Sequence, residues 1–204
     1  RDVPRGFEAW VKQQPRNKRP YEWWAELYKQ QNYQVVSELA AANAKAQYYV
    51  CAYCTSTITG DTSDTMNEHV EARSVAPNRS LDYTNIVASC KAKNQCDDAH
   101  KGQYLPITPF MDACEKEITF DISGSAIGAP NNARDTIDIL NLGKDETRNK
   151  QLVQKRKQLS HALLFKNGVD PSEGLEDYER LEMLVHDLST PVNGRLESFA
   201  PAVV

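Results

Sequence analysis

The chain has 204 residues and a mass of 23.0 kDa, which allows one full domain or a small core module with helical appendages. Charged residues make up 25% and the hydrophobic set 40%, with a mean hydropathy of −0.62, which excludes a collagen-like or wholly disordered chain. No run of about 18 apolar residues and no secretory-type leader is visible, so no membrane association is expected; the net charge of −4 does not advertise a nucleic-acid binder, although a nuclease needs only a local basic surface.

Three regions are expected. Residues 1–50 open with Arg1, Arg5, Lys12, Arg16, Lys18 and Arg19, broken by Pro4, Pro15 and Pro20. They read as a loosely ordered basic arm. After Pro20 the residues Trp23, Trp24, Leu27, Tyr28, Val35, Leu39 and Ala42 recur at helical spacing, which predicts an amphipathic helix broken near Asn32. Residues 51–125 are rich in Thr, Ser, Asp and Asn and hold all five cysteines. Short strands are expected near Thr57–Thr59 and Asn85–Ala88. Residues 126–204 read as helical: a short apolar piece within 133–142, a helix over 148–165 with a basic face (Lys150, Lys155, Arg156, Lys157), and an acidic helix over 172–188. Ser172 is its expected N-cap, with Leu175, Tyr178, Leu181, Leu184 and Val185 facing inward. The fold class is α+β.

The chemistry concentrates between Cys51 and Lys101. Cys51 and Cys54 form a C-x2-C knuckle, and Cys90 and Cys96 a C-x5-C pair. Four thiolates at these positions satisfy a tetrahedral Zn²⁺ with no open position, which makes the metal structural and suits a reducing cytoplasm. Between and after the pairs lie Glu68-His69, Asn85 and His100. A carboxylate is a hard oxygen ligand for Mg²⁺ or Mn²⁺. An imidazole takes a proton from water near neutral pH. An amide such as Asn85 can hold that imidazole by one ring nitrogen, and His100 can join Glu68 on a catalytic cation. Cys114 has no clear metal role and is expected to be a buried thiol.

This order of residues resembles the zinc-bearing HNH endonucleases, whose catalytic element is a ββα-metal finger. More narrowly, Cys51-Ala-Tyr-Cys54, Glu68-His69, the run Ser80–Cys90 and His100-Lys101-Gly102 resemble the nuclease subunit of Septu anti-phage systems, the PtuB family, also found with some retrons. The likeness extends through Cys114-Glu115, Ile118-Thr119-Phe120, Gly124 and the run Asp135–Leu142. The resemblance implies an HNH nuclease core in 51–125 between N- and C-terminal helices. It implies His69 as general base, Asn85 as its orienter, and Glu68 and His100 as ligands of a catalytic Mg²⁺ or Mn²⁺. It implies hydrolysis of DNA first, with tRNA or other RNA as the alternative, inside a complex with a PtuA-like ATPase subunit of the SMC/ABC type. A retron reverse transcriptase with its nucleic acid is a further implied partner. Two departures stand out: Glu71-Ala72-Arg73 replaces the Pro-Lys that often follows Glu-His, leaving Arg73 as a phosphate contact, and Asp97 competes with His100 for the last ligand position. The Trp23-Trp24 stripe and the leucine-rich face of 172–188 are expected to dock the partner. The competing reading is a non-catalytic zinc-ribbon adaptor, which has no need of Glu68, His69, Asn85 and His100 together.

Overall fold

Pro20 occupies the first turn of a helix, where its missing N–H costs nothing, and the Glu22 carboxylate accepts a hydrogen bond from the Arg19 backbone N–H at 2.8 Å. This helix, α2 (Pro20–Leu27), ends before a single 3₁₀ turn, and α3 (Tyr33–Ala46) follows. The break falls at Asn32, as the sequence predicts; its side-chain amide donates to the Glu26 carbonyl at 2.9 Å. The structure, a computed structural model, describes residues 1–145, 147–173 and 177–203.

The expected loose arm is instead partly helical. Helix α1 (Arg5–Gln13) buries Phe7 and Trp10, three residues apart, while Glu8 and Lys12 pair on its outer face at 2.6 Å. Phe7, Trp10, Trp24, Leu27, Val36 and Leu39 form one apolar cluster with Tyr83 and Ile86. The N-terminal helices are therefore built onto the central region.

That region is organised by an antiparallel pair, β1 (Thr65–His69) and β2 (Ile86–Cys90), with Thr65 opposite Cys90 and His69 opposite Ile86. The one-turn helix α4 (Asp97–His100) follows β2. The strand expected at 57–59 reduces to an isolated bridge between Val50 and Thr57. A short helix α5 (Ala113–Glu117) leads into a second antiparallel pair, β3 (Ile118–Phe120) and β4 (Ala126–Gly128), and then α6 (Asn131–Ile139). Among the described residues the fold is mixed α+β with two small antiparallel sheets. Its largest apolar cluster draws Ala44, the four knuckle cysteines, Val87, Ala88, Ile137, Leu140, Leu142, Leu152 and Phe199 together. Packing therefore crosses all three regions.

Helix α7 (Lys150–Lys166) is capped by Asn149, and α8 (Tyr178–Ser189) by Asp177, whose carboxylate accepts from the Glu179 and Arg180 N–H groups. Asp177, not Ser172, is thus the N-cap. Leu175 lies outside the described residues. Leu184 and Leu188 are buried against Leu163 and Leu164 of α7, but Tyr178 and Leu181 face solvent. The basic face of α7 is not uniform: Lys150 and Lys155 are exposed, whereas Arg156 is buried. Among the described residues no helix is long and apolar enough to cross a membrane.

Candidate functional site

Cys51 and Cys54 sit on a tight turn after α3, closed by the Thr55 N–H on the Cys51 carbonyl at 3.1 Å. Cys90 ends β2, and Cys96 precedes α4 with a left-handed φ of 53°. That φ, with a second at Asn94, lets the five-residue connection fold back so that Cys96 meets the first knuckle. All four cysteines are buried, and their sulfurs lie within 4.8 Å of one another. The Sγ–Sγ distances are 3.9 Å for Cys51–Cys96 and 3.8 Å for Cys54–Cys90, a spacing matched to tetrahedral thiolate ligation. This quartet can hold a metal ion.

The surroundings favour anionic sulfur. The Cys90 N–H donates to Cys51 Sγ at 3.3 Å, and the Ser56 hydroxyl lies 3.1 Å from Cys54 Sγ. The Gln95 amide faces Cys90, Cys54 and Cys96 at 3.6, 3.8 and 4.0 Å. Burial pushes the Cys51 and Cys96 thiols up, whereas hydrogen bonds, first from Cys51, pull Cys54 and Cys90 down. Four sulfurs so placed cannot all ionise without a cation among them. Cys114 stands apart from the quartet and is half-buried.

Beside this centre lies a cavity of about 400 Å³ lined by Trp24, Ala25, Tyr28, Met66, Asn67, Glu68, His69, Ala72, Arg73, Asp97 and Lys101. His69 closes β1, so although successive strand residues alternate sides, it and Glu68 both reach this space at the strand's end. One His69 nitrogen, Nε2, bonds the Ser80 carbonyl at 2.9 Å. A carbonyl only accepts, so Nε2 carries the hydrogen and Nδ1 keeps its lone pair. Burial holds this imidazole down at about 4. Trp24 meets its ring edge-on, centroids 4.3 Å apart.

Glu68 and His100 come together as the sequence predicts. His100 Nδ1 lies 2.5 Å from Glu68 Oε1, and its Nε2 donates to the Gln103 carbonyl at 2.7 Å. With Nε2 as donor, Nδ1 and the carboxylate face each other as two acceptors, a contact that requires a proton or a cation between them. Burial first, and then the Glu68 carboxylate, raises the Asp97 carboxyl to about 8. Burial also raises Glu68 and lowers His100. The group is therefore held short of positive charge. It is looser than the cysteine quartet, which among the described residues is the one set of three or more such ligand atoms all within 4.8 Å of each other.

Asn85 does not hold the imidazole. Its Oδ1 accepts from the Glu71 N–H at 2.8 Å and its Nδ2 donates to the Glu71 carbonyl at 3.0 Å. Arg79 ties Glu71 to Asp82 across the same loop. Asn85 thus fixes the 71–84 loop, and that loop presents the Ser80 carbonyl to His69. The reason for the difference is reach: His69 pairs with Ile86 across the strands, and the Asn85 side chain satisfies the backbone leaving β1 instead.

Several contributors carry no motif. Ser80 acts through its backbone, which no side-chain pattern reveals. Trp24 has a visible signal, an aromatic at helical spacing, but not its destination. Gln95 neighbours Cys96 in sequence, and Arg156 falls in register with Leu152, Val153 and Ser160; both signals were readable. No protein-family model matches the chain, and no curated protein matches it.

Proposed function

We propose that this chain is an HNH-type endonuclease with a ββα-metal core, hydrolysing phosphodiester bonds in nucleic acid, DNA first and tRNA or other RNA second. In the same reading the quartet holds a structural Zn²⁺. The protein acts in the cytoplasm as effector of an anti-phage complex with an SMC/ABC-type ATPase subunit. The supporting observation is the single cavity that gathers a neutral, carbonyl-anchored His69 with Glu68 and Asp97, backed by His100, and with Arg73 and Lys101 at its edge. An adaptor leaves that grouping without a role.

The residues divide the work as follows. Arg73 and Lys101 attract and orient the phosphodiester. Glu68, Asp97 and His100 Nδ1 would hold a Mg²⁺ or Mn²⁺, which supplies charge neutralisation on the scissile phosphate. His69 Nδ1 takes the proton from the attacking water, while the Ser80 carbonyl keeps the ring's other nitrogen protonated. Asn85 keeps the loop, and hence Ser80, in place. The test is cleavage of DNA and of total tRNA by the wild type and by His69→Ala, with folding checked by circular dichroism. The variant should fold and lose cleavage by about 10²-fold or more. Undiminished cleavage would remove His69 from the chemistry, and no cleavage of either nucleic acid by the wild type, alone or with its ATPase, would defeat the nuclease reading.

A further inference from the structure

Arg156 is 1% exposed, the largest fully buried side chain among the described residues. Its guanidinium donates to the Gly124 carbonyl and, at 2.9 Å, to the Leu142 carbonyl. It lies over the Phe120 ring, 4.2 Å from the centroid, with Phe199 at 5.8 Å. Among the described residues no carboxylate reaches ion-pair distance of it. Asp121, the acid that bears on its charge, is committed to Ser123 and Ser125. Its Nε is buried with no hydrogen-bond partner. A buried cation with no anionic partner is costly. Burial lowers its pKa to about 10 against the opposing pull of the Cys54 and Cys96 sulfurs, and both its acceptor residue Leu142 and its neighbour Phe199 belong to the apolar cluster that contains the four cysteines.

The same helix also reaches the quartet through a chain of hydrogen bonds. Asn149, the left-handed N-cap of α7, donates from Nδ2 to Gln95 Oε1 at 3.1 Å, while its Oδ1 caps the Leu152 N–H at 3.4 Å. Gln95 in turn points its amide nitrogen at three of the four sulfurs. An amide whose oxygen is held this way cannot flip its nitrogen away from the sulfurs. Four thiolates around one divalent cation leave a net charge of about −2 in a dry core. This buried, unpaired cation and the excess anion answer each other.

We propose that α7 is the outer half of the metal centre: Arg156 is the counter-charge of a dianionic four-thiolate site, and Asn149, through Gln95, locks the hydrogen bonds donated to its sulfurs. This rests on the reading of the quartet as a Zn²⁺ site. Its consequence is that metal binding and the docking of α7 are one event, so the C-terminal helices, far from the knuckles in sequence, are ordered by the metal.

The test uses the full chain and three substitutions, Arg156→Lys, Arg156→Gln and Arg156→Met. Zn²⁺ affinity is read by competition with a chromophoric chelator at fixed pH. Arg156→Lys should stay within about threefold of wild type, whereas the Gln and Met variants should lose about tenfold or more, the usual cost of removing an outer-sphere partner. Equal affinity in all three would overturn the proposal. So would a Lys variant as weak as Met, because geometry and not charge would then be at work. In parallel, hydrogen exchange with and without Zn²⁺ should show slower exchange of the 150–166 amides on metal addition; protection confined to the knuckles would refute the coupling even if a substituted chain failed to fold. A wild-type protein that binds no Zn²⁺ fails the quartet reading itself, before Arg156 is reached.

Discussion

Proton competition at the Glu68–Asp97–His100 group gives a measurable consequence of the cavity's geometry. The Asp97 carboxyl is raised to about 8 against an ordinary 3.8, first by burial and then by the Glu68 carboxylate beside it. The sign is that of a raised acid: in the metal-free folded protein Asp97 holds a proton that the unfolded chain has already lost, so its contribution to stability falls as pH rises from about 4 to about 8. A divalent cation must displace that proton. At about pH 6 roughly 1% of Asp97 is ionised and at about pH 8 roughly half, so the apparent Mn²⁺ affinity should rise by about 50-fold across this interval and level off above it. The assay is Mn²⁺ titration of the zinc-loaded protein, with free Mn²⁺ read by electron paramagnetic resonance. Calorimetry at neutral pH in two buffers of different ionisation enthalpy should count about one proton released per Mn²⁺ bound. Asp97→Asn should bind more weakly at about pH 8 and lose most of the pH dependence. A flat affinity from about pH 6 to about pH 8, with no proton release, would refute the reasoning and leave the carboxylates as a purely structural pair.

The remaining expectations concern the two ends of the site. Trp24→Ala removes a 4%-exposed ring from the α1–α2–α3 cluster and from the edge of His69, and should cost about 3–5 kcal/mol in a urea titration. Trp24→Phe should recover most of that stability, and an effect under about 1 kcal/mol for Trp24→Ala would show that α2 does not pack as described. Cys54→Ser should lose bound Zn²⁺, measured by elemental analysis, together with much of the folded signal; well-folded wild-type protein with no zinc would sink the metal assignment.

Legibility in the sequence followed the physics of each feature. The α2–α3 break, strand β2 and helix α7 were readable because each carries a strong local signal: Pro20 at a first turn, a β-branched run, a leucine stripe. The quartet was readable because ligand chemistry restricts spacing. Helix α1 was not, because three prolines and six basic residues within 1–20 mask the Phe7–Trp10 pair that nucleates its packing. Residue type makes Arg156 a solvated charge, and only its register with Leu152, Val153 and Ser160 signals that it turns inward. The Trp23-Trp24 stripe, expected to meet a partner, is divided: Trp24 is buried against His69, while Trp23 stays half-buried with its indole N–H on the Pro15 carbonyl at 3.2 Å. The place of Asn85 is not legible because residue type reveals hydrogen-bonding capacity but not which backbone groups the strand register brings within range.

The two centres are joined by a very short piece of chain. Helix α4 has four residues, too few to hold itself in water. Its His100 N–H bonds the Cys96 carbonyl at 2.8 Å, and its first residue, Asp97, donates its N–H to the Ser89 hydroxyl at 3.3 Å, which also lies 3.8 Å from Cys51 Sγ. Asp97 and His100 are therefore placed by the knuckles, not by their own helix. A metal bound by the four sulfurs fixes Cys96 and Cys90 relative to β1, and so sets where Asp97 and His100 meet Glu68. Loss of that metal should open the carboxylate–histidine group without any change to its residues. On this argument Cys54→Ser acts on the cavity at a distance: its Mn²⁺ affinity should fall along with its zinc content, whereas Asp97→Asn should weaken Mn²⁺ binding and leave zinc in place. The asymmetry follows from the direction of support, since the quartet carries α4 and α4 carries nothing that the quartet needs.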